Sequence, residues 1–317
     1  MKKIVLLAFV LVLLSMSMLG TRLVTTVSGS TTHHVYPSDS IQDAINSAQS
    51  GDTIVVHSGT YYEHVVVNKT VVLIGEDKHD TIVDGNFTGT VIHITVNNVT
   101  ISGFTIQNSG KELWVRGGIF VDHSSGNNVS NNIITNNGVG MCLEDSNNNT
   151  ISGNNVSSNK HSGIGIERSY NNTLIGNTVF SNNYRGIVLW GKGGYNTLIG
   201  NNVSSNNAEG IHLARNCSHN IVVRNTISDN LYGIHVSDSS NNMIFHNNFI
   251  NNTNQAFVHY LSTNVWDDGY PSGGNYWSDY TGSDTNGDGI GDTPYVIQEE
   301  ENNQDNYPLM SPWSPTW

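Results

Sequence analysis

Cysteine, basic charge, long apolar runs and helical periodicity are all scarce in this sequence, and each absence excludes something. The 2 cysteines among 317 residues are Cys142 and Cys217. They fall three repeats apart, which at a strand spacing of ~4.8 Å separates them by about 14 Å. A disulfide needs Cα atoms within roughly 7 Å, so the two do not pair. Lys and Arg total 13 against 26 Asp and Glu, for a formal charge of -13. That balance excludes nucleic acid as a natural partner and favours cations. After the N-terminus no stretch is apolar enough to span a bilayer, so no membrane span is expected in the mature chain. Nor does any stretch between the repeated asparagines hold ten or more residues of 3.6 periodicity, which excludes a helical solenoid. Met1-Lys2-Lys3 followed by the apolar run Ile4 to Leu14 reads as a secretory signal or N-terminal anchor over residues 1–29. The location expected is extracytoplasmic: secreted, periplasmic or at the cell surface.

What is present is repetition. Gly118, Gly140, Gly163, Gly186, Gly210 and Gly233 open successive copies of one pattern, at steps of 22, 23, 23, 24 and 23 residues. A fixed period of this size marks a solenoid. Each copy reads G-[IM]-x-[LVI], a polar turn, N-x-[VIL]-x-x-N-x-[VIF]-x-x-N, which is three short strands. The first strand carries Ile119/Val121, Met141/Leu143, Ile164/Ile166, Ile187/Leu189, Ile211/Leu213 and Ile234/Val236 inward, by alternation. The second supplies the row Val129, Ile151, Leu174, Leu198, Val222, Ile244, and the third Ile134, Val156, Val179, Val203, Ile227, Phe249. One coil cannot bury such rows alone, whereas stacked coils can. The fold expected is all-β, a single-stranded right-handed parallel β-helix of about 23 residues per coil. Asn127, Asn149, Asn172, Asn196, Asn220 and Asn242 form one asparagine ladder. Asn132, Asn154, Asn177, Asn201, Asn225 and Asn247 form a second. Asparagine tolerates the left-handed conformation, and both ladders read as corners of the coil. The sequons at Asn128, Asn148, Asn155, Asn171 and Asn202 stand beside the ladders and face outward.

Before the repeats, Ile41, Ala44, Ile45 and Ala48 form a helical face behind the capping candidates Ser38, Asp39 and Ser40. A short helix there would close the open end of the core. Irregular strands follow, including Gly59-Thr60-Tyr61-Tyr62-Glu63, a G-x-Y-x-E string similar to one near the start of pectin methylesterases. Their Gln-Asp motifs are absent downstream, so the string carries over the fold and not the activity. The organisation expected is a signal or anchor at 1–29, a cap and irregular coils at 30–117, regular coils at 118–262, and an aromatic, Asp/Gly-rich cap at 263–317.

The tail is the most specific part. With Asn275-Tyr276-Trp277-Ser278-Asp279-Tyr280, the Asp284 to Asp292 stretch and Asp305-Asn306-Tyr307-Pro308-Leu309, the chain resembles the NosD-like family of right-handed β-helix proteins, with a pectin-lyase-like fold. The family's association with copper delivery implies a copper-binding accessory role. His212 and His235, at one outward strand position in adjacent coils, are the pair that could hold copper. Asp284, Asn286, Asp288, Ile290 and Asp292 match the first part of a calcium-loop pattern, with Tyr295 where the bidentate Glu would stand. Trp266, Tyr270, Tyr276, Trp277 and Tyr280 are expected to cover the last coil.

The outer face of the first strand offers a candidate active surface. Asp122, Glu144 and Glu167 stack in consecutive coils, followed by Trp190, with His161, Arg185, His123, Asp145 and Arg168 in the flanking turns. Carboxylates about 5 Å apart repel by roughly 3 kcal/mol at an effective dielectric of 20, so the row calls for a cation or a shifted pKa. Three functions are open. The leading one is binding of carbohydrate (a polysaccharide or surface glycan) or other extracellular material without chemistry. The second is a carbohydrate-active enzyme (lyase, epimerase or hydrolase) with Asp122, Glu144, Glu167 and His161 catalytic and Trp190, Arg185 and Arg168 holding substrate. The third is the copper accessory role.

Overall fold

The computed structural model describes residues 29–112, 117–259, 262–299 and 302–314. All of the expected signal segment except its last residue lies outside them. Each coil contributes one strand to each of three parallel sheets, of 10, 9 and 10 strands, wound as a right-handed β-helix. The strands Ile119–Asp122, Met141–Glu144, Ile164–Glu167, Ile187–Trp190, Glu209–Ala214 and Tyr232–Ser237 lie in the nine-stranded sheet, called the front sheet below. The predicted inward rows are buried: Val129, Ile151, Leu174, Leu198, Val222 and Ile244 are all 0% exposed, as are Ile134 through Phe249 on the third strand.

The helix Ile41–Ser47 forms as expected, and Ser40 accepts a hydrogen bond from the Asp43 amide. Glu63 completes the cap: its carboxylate accepts from the amides of Ile41 (2.9 Å) and Gln42 (3.0 Å) and from the Ser40 hydroxyl (3.1 Å). The rest of the G-x-Y-x-E string is equally architectural. Tyr61 donates to the His57 carbonyl at 2.8 Å, and a Cβ on Gly59 would come within 2.6 Å of Pro37.

The asparagine ladders are structural, but the left-handed corner is not theirs. Positive φ falls one residue earlier, at Asn148, Asn171, Tyr195, His219 and Asn241 before the first ladder. Before the second it falls at Asn131, Gly153, Gly176, Gly200, Arg224 and His246. The outward residue makes the turn, and the ladder asparagine that follows turns inward. There its Oδ1 accepts from the backbone and side-chain amides of the asparagine in the preceding coil, as Asn172 does from Asn149 at 2.9 and 3.0 Å. Its Nδ2 donates to the next ladder residue and to a backbone carbonyl, so each buried amide is satisfied. A third ladder, Asn137, Asn159, Asn182, Asn206, Asn230 and Asn252, follows the same geometry. The tail ends the ladders. Asn264 and Asn303 extend the first, Asn275 extends the second, and Asp305 stops it by accepting from the Asn275 amide at 2.7 Å and Trp277 Nε1 at 2.9 Å. A carboxylate has no N–H to pass on. Burial raises the Asp305 carboxyl to about 6 against those donors. Trp266 and Trp277 are buried, and Trp277 stacks between Phe249 and Tyr295; Tyr270, by contrast, lies 63% exposed, with its ring against Tyr307.

Candidate functional site

Alternation along the front strands sends every second side chain outward, and parallel register stacks these into rows. The middle outward row runs His93, Phe120, Cys142, Gly165, Val188, His212, His235, Phe257. Beside it runs Asp122, Glu144, Glu167, Trp190, Ala214, Ser237, in the register expected. On its other side Arg185 of one coil meets Glu209 of the next.

In the upstream coils the acidic row is fully engaged. His93 and His123 hold the two oxygens of Asp122 at 3.0 and 2.5 Å. Burial opposes the charge of Asp122, and the two imidazoles more than offset it, leaving its carboxyl below the ordinary range. The same Asp122 hydrogen bond raises His123. Arg168 donates to Glu144 and Glu167 and reaches Asp145 at 3.0 Å. Arg168, expected to hold substrate, therefore supplies this row with an internal cation.

A groove of about 180 Å³ opens next, lined by Val139, Cys142, Ser162, Gly165, Ile166, Glu167, Arg185, Val188 and Trp190. Gly165 makes it: in the middle row it supplies no side chain between Cys142 and Val188. Nothing but that hollow requires the glycine, since a Cβ there would meet its nearest neighbour at 3.8 Å. Three residues singled out from the sequence, Glu167, Arg185 and Trp190, converge on this groove. Arg215 lies over one face of Trp190 at 4.2 Å, on the side of the following coil, and the groove lies on the side of the preceding one. His161 precedes the groove residue Ser162, and its Nε2 is buried without a hydrogen-bond partner.

Above the groove, Glu209, His212 and His235 bring one potential ligand atom each within 4.8 Å of one another, a donor set able to coordinate a metal ion. His235 Nδ1 lies 3.3 Å and His212 Nδ1 3.8 Å from the same oxygen, Glu209 Oε1, while Arg185 Nε donates to Oε2 at 3.0 Å. The rings of His212 and His235 stack at 4.5 Å. Burial, reinforced by the charges of Arg185 and His235, lowers His212 to about 4 and keeps it neutral. The histidine pair was legible from its register. Glu209 was not, because it sits before the repeat's leading glycine, where other coils carry Val139, Ser162 and Arg185. His93 belongs to an irregular coil and was missed for the same reason.

The Asp/Gly loop of the tail closes on itself. Asp284 accepts from the amides of Gly287, Asp288 and Gly289, Asp288 from Ile290, and Asp292 from Thr285, while Asn286 donates to Asp288. Cys142 and Cys217 are buried and form no disulfide, and Cys142 forms part of the groove. Of the sequon asparagines, Asn128, Asn148, Asn171 and Asn202 are exposed and Asn155 is half-buried.

Coil, cap and groove together define a right-handed parallel β-helix of the pectin-lyase-like kind. Residues 45–215 and 191–282 match the family described as periplasmic copper-binding protein (NosD), and the chain belongs to that family. No curated protein matches it. Pectate lyase Pel9A superposes with a TM-score of 0.55 at 14% identity, over 75% of this chain and 77% of that one. The A-module of Azotobacter vinelandii mannuronan C-5 epimerase AlgE4 gives 0.52 at 16%, over 69% and 76%. The Dettilon tailspike protein gives 0.55 at 17%, over 68% of this chain and 50% of its own. At such identities the likeness shows the fold. Among the described residues no helix is long and apolar enough to cross a membrane.

Proposed function

We propose that this chain works outside the cytoplasm on a polysaccharide containing uronic acid, held along the outer face of the front sheet. The observation that carries the reading is the groove opened by Gly165, with an aromatic face, a guanidinium and a carboxylate converging on it. An indole offers a sugar ring an apolar platform, and stacking of this kind is worth about 0.5–1.5 kcal/mol. Arg185 brings the positive charge that a uronate carboxylate needs, and Glu167 can accept from hydroxyls. The names of two of the similar folds, a pectate lyase and a mannuronan epimerase, support polyuronate as the ligand class and proton abstraction as the reaction class. In that reaction Arg185 would stabilise the charge developing on the uronate carboxylate, and His161, next to the groove residue Ser162, is the candidate to take the proton.

The test is a panel of polygalacturonate, alginate and neutral glucans, read for both binding and product. Binding to a polyuronate is expected, with an unsaturated or epimerised product. Trp190→Ala should weaken binding up to about tenfold, by the loss of the stacking face. Gly165→Leu should abolish binding while leaving the melting temperature unchanged, because it fills the groove from an outward position. Polyuronate binding that survives Gly165→Leu would overturn the assignment. Binding with no product in the wild type, or product undiminished in His161→Gln, would remove the catalytic half.

A further inference from the structure

Buried polar atoms in this protein are satisfied with few exceptions, and the exceptions gather. Of four buried side-chain atoms without a hydrogen-bond partner among the described residues, two are His212 Nδ1 and His235 Nε2. His212 is 95% buried by the complement of its 5% exposure, so its bare nitrogen has no water to turn to. Its Nε2 meets Ser237 Oγ at 3.2 Å. With Nε2 as the donor, Nδ1 is a lone pair pointed toward a carboxylate oxygen. With Nε2 as the acceptor, Nδ1 carries a proton but lies 3.8 Å from that oxygen, beyond hydrogen-bond reach. Neither tautomer satisfies the atom.

We infer that Glu209, His212 and His235 form a binding site for one late first-row divalent metal ion of the zinc class, ligated by Glu209 Oε1 and the two Nδ1 atoms. In a four-coordinate zinc site with bonds of about 2.0–2.2 Å, neighbouring ligand atoms lie about 3.4 Å apart. The two nitrogens stand 3.3 and 3.8 Å from Oε1, close to that edge length before any ion draws them in. Arg185 occupies the other carboxylate oxygen, so Glu209 is left as a one-oxygen ligand in a fixed orientation, and Ser237 orients the His212 ring from behind. His235 keeps 19% of its side chain exposed, which leaves a fourth position for water. The donor set contains no sulfur, which suits zinc, cobalt(II), nickel(II) or copper(II) and not cuprous copper. The site adjoins the sugar groove through Arg185, but its test reads metal and not product.

The full chain, stripped with a chelator, is titrated with ZnCl2 by calorimetry and with CoCl2 by visible absorption. One equivalent of zinc is expected, together with a cobalt spectrum of four or five coordination and a rise in melting temperature on loading. His212→Asn should weaken zinc binding by about a hundredfold, and so should Glu209→Gln, which keeps the side-chain volume should the histidine variant fold poorly. The exposed pair His34 and His57, 3.0 Å apart, is the competing site, and the double change His34→Gln/His57→Gln should leave the titration unaltered. Absence of the equivalent, its survival in both Glu209→Gln and His212→Asn, or its loss in the His34/His57 variant would overturn the inference.

Discussion

The front sheet carries two polar clusters on one face, and they are built in opposite ways. Upstream, Asp122, Glu144 and Glu167 are half-buried, and each carboxylate finds a histidine or Arg168. Downstream, Glu209 and His212 are more deeply set, and imidazole atoms of His212 and His235 are left without partners. The upstream carboxylates are already engaged by side chains of the chain itself. The downstream arrangement costs stability as it stands, and proteins retain such costs where a ligand offsets them. The difference teaches where to look on a repetitive surface: titratable side chains are abundant, and unmet ones are few.

The interior asparagine ladders set the standard against which that contrast can be broken. Asn177 accepts from the backbone and side chain of Asn154 and donates to Ile151 and Asn201. Asn177→Ala would strand buried donors and acceptors in both neighbouring coils and should cost on the order of 3 kcal/mol in urea unfolding. His212→Leu, at a buried position whose polar atoms are not all met, should cost nothing in the metal-free protein and should raise its stability by up to about 1 kcal/mol. A loss comparable to that of Asn177→Ala would mean that His212 is an ordinary structural histidine.

A smaller effect sharpens the upstream half. Arg168→Met removes a guanidinium that joins Glu144, Asp145 and Glu167. The pairs are partly exposed, so solvent screening limits the loss to about 1 kcal/mol, and added salt should shrink it further. A variant as stable as the wild type at low salt would show that the row needs no internal cation.

The fold was legible because it is written by repetition. Glycine steps, inward rows and two asparagine ladders follow from a period and an alternation, and each is independent of the ligand. The third ladder stood in the same repeat pattern and went unread, and the corner was placed one residue late because an asparagine fits both the turn and the ladder. Asn171 and Asn172 show the division, the first at φ 55° and the second at 0% exposure. The candidate site was legible only where its residues share the repeat's register, as His212, His235, Glu167 and Trp190 do. Glu209 escaped because the position before the leading glycine holds a different residue in each coil. The groove escaped because Gly165 marks it by what is missing.

The two clusters should also answer pH with opposite signs. Asp122 raises His123, so the stability that this ion pair contributes is fully present below the ordinary histidine value and is lost as pH rises through the raised one. Burial lowers His212 from 6.5 to about 4, so the folded state binds fewer protons than the unfolded chain between those values, and stability falls as pH drops through that window. Glu209, which burial would raise but His235 and Arg185 hold lower, keeps its contribution until pH falls below its ordinary value of 4.5. Melting curves of the metal-free protein should therefore lose their slope between about 4 and 6.5 in His212→Asn. His123→Asn should instead flatten the weaker decline above about 6.5, weaker because that histidine is exposed to solvent. If both variants changed the same limb of the profile, the two clusters would share one environment and the contrast between them would fail.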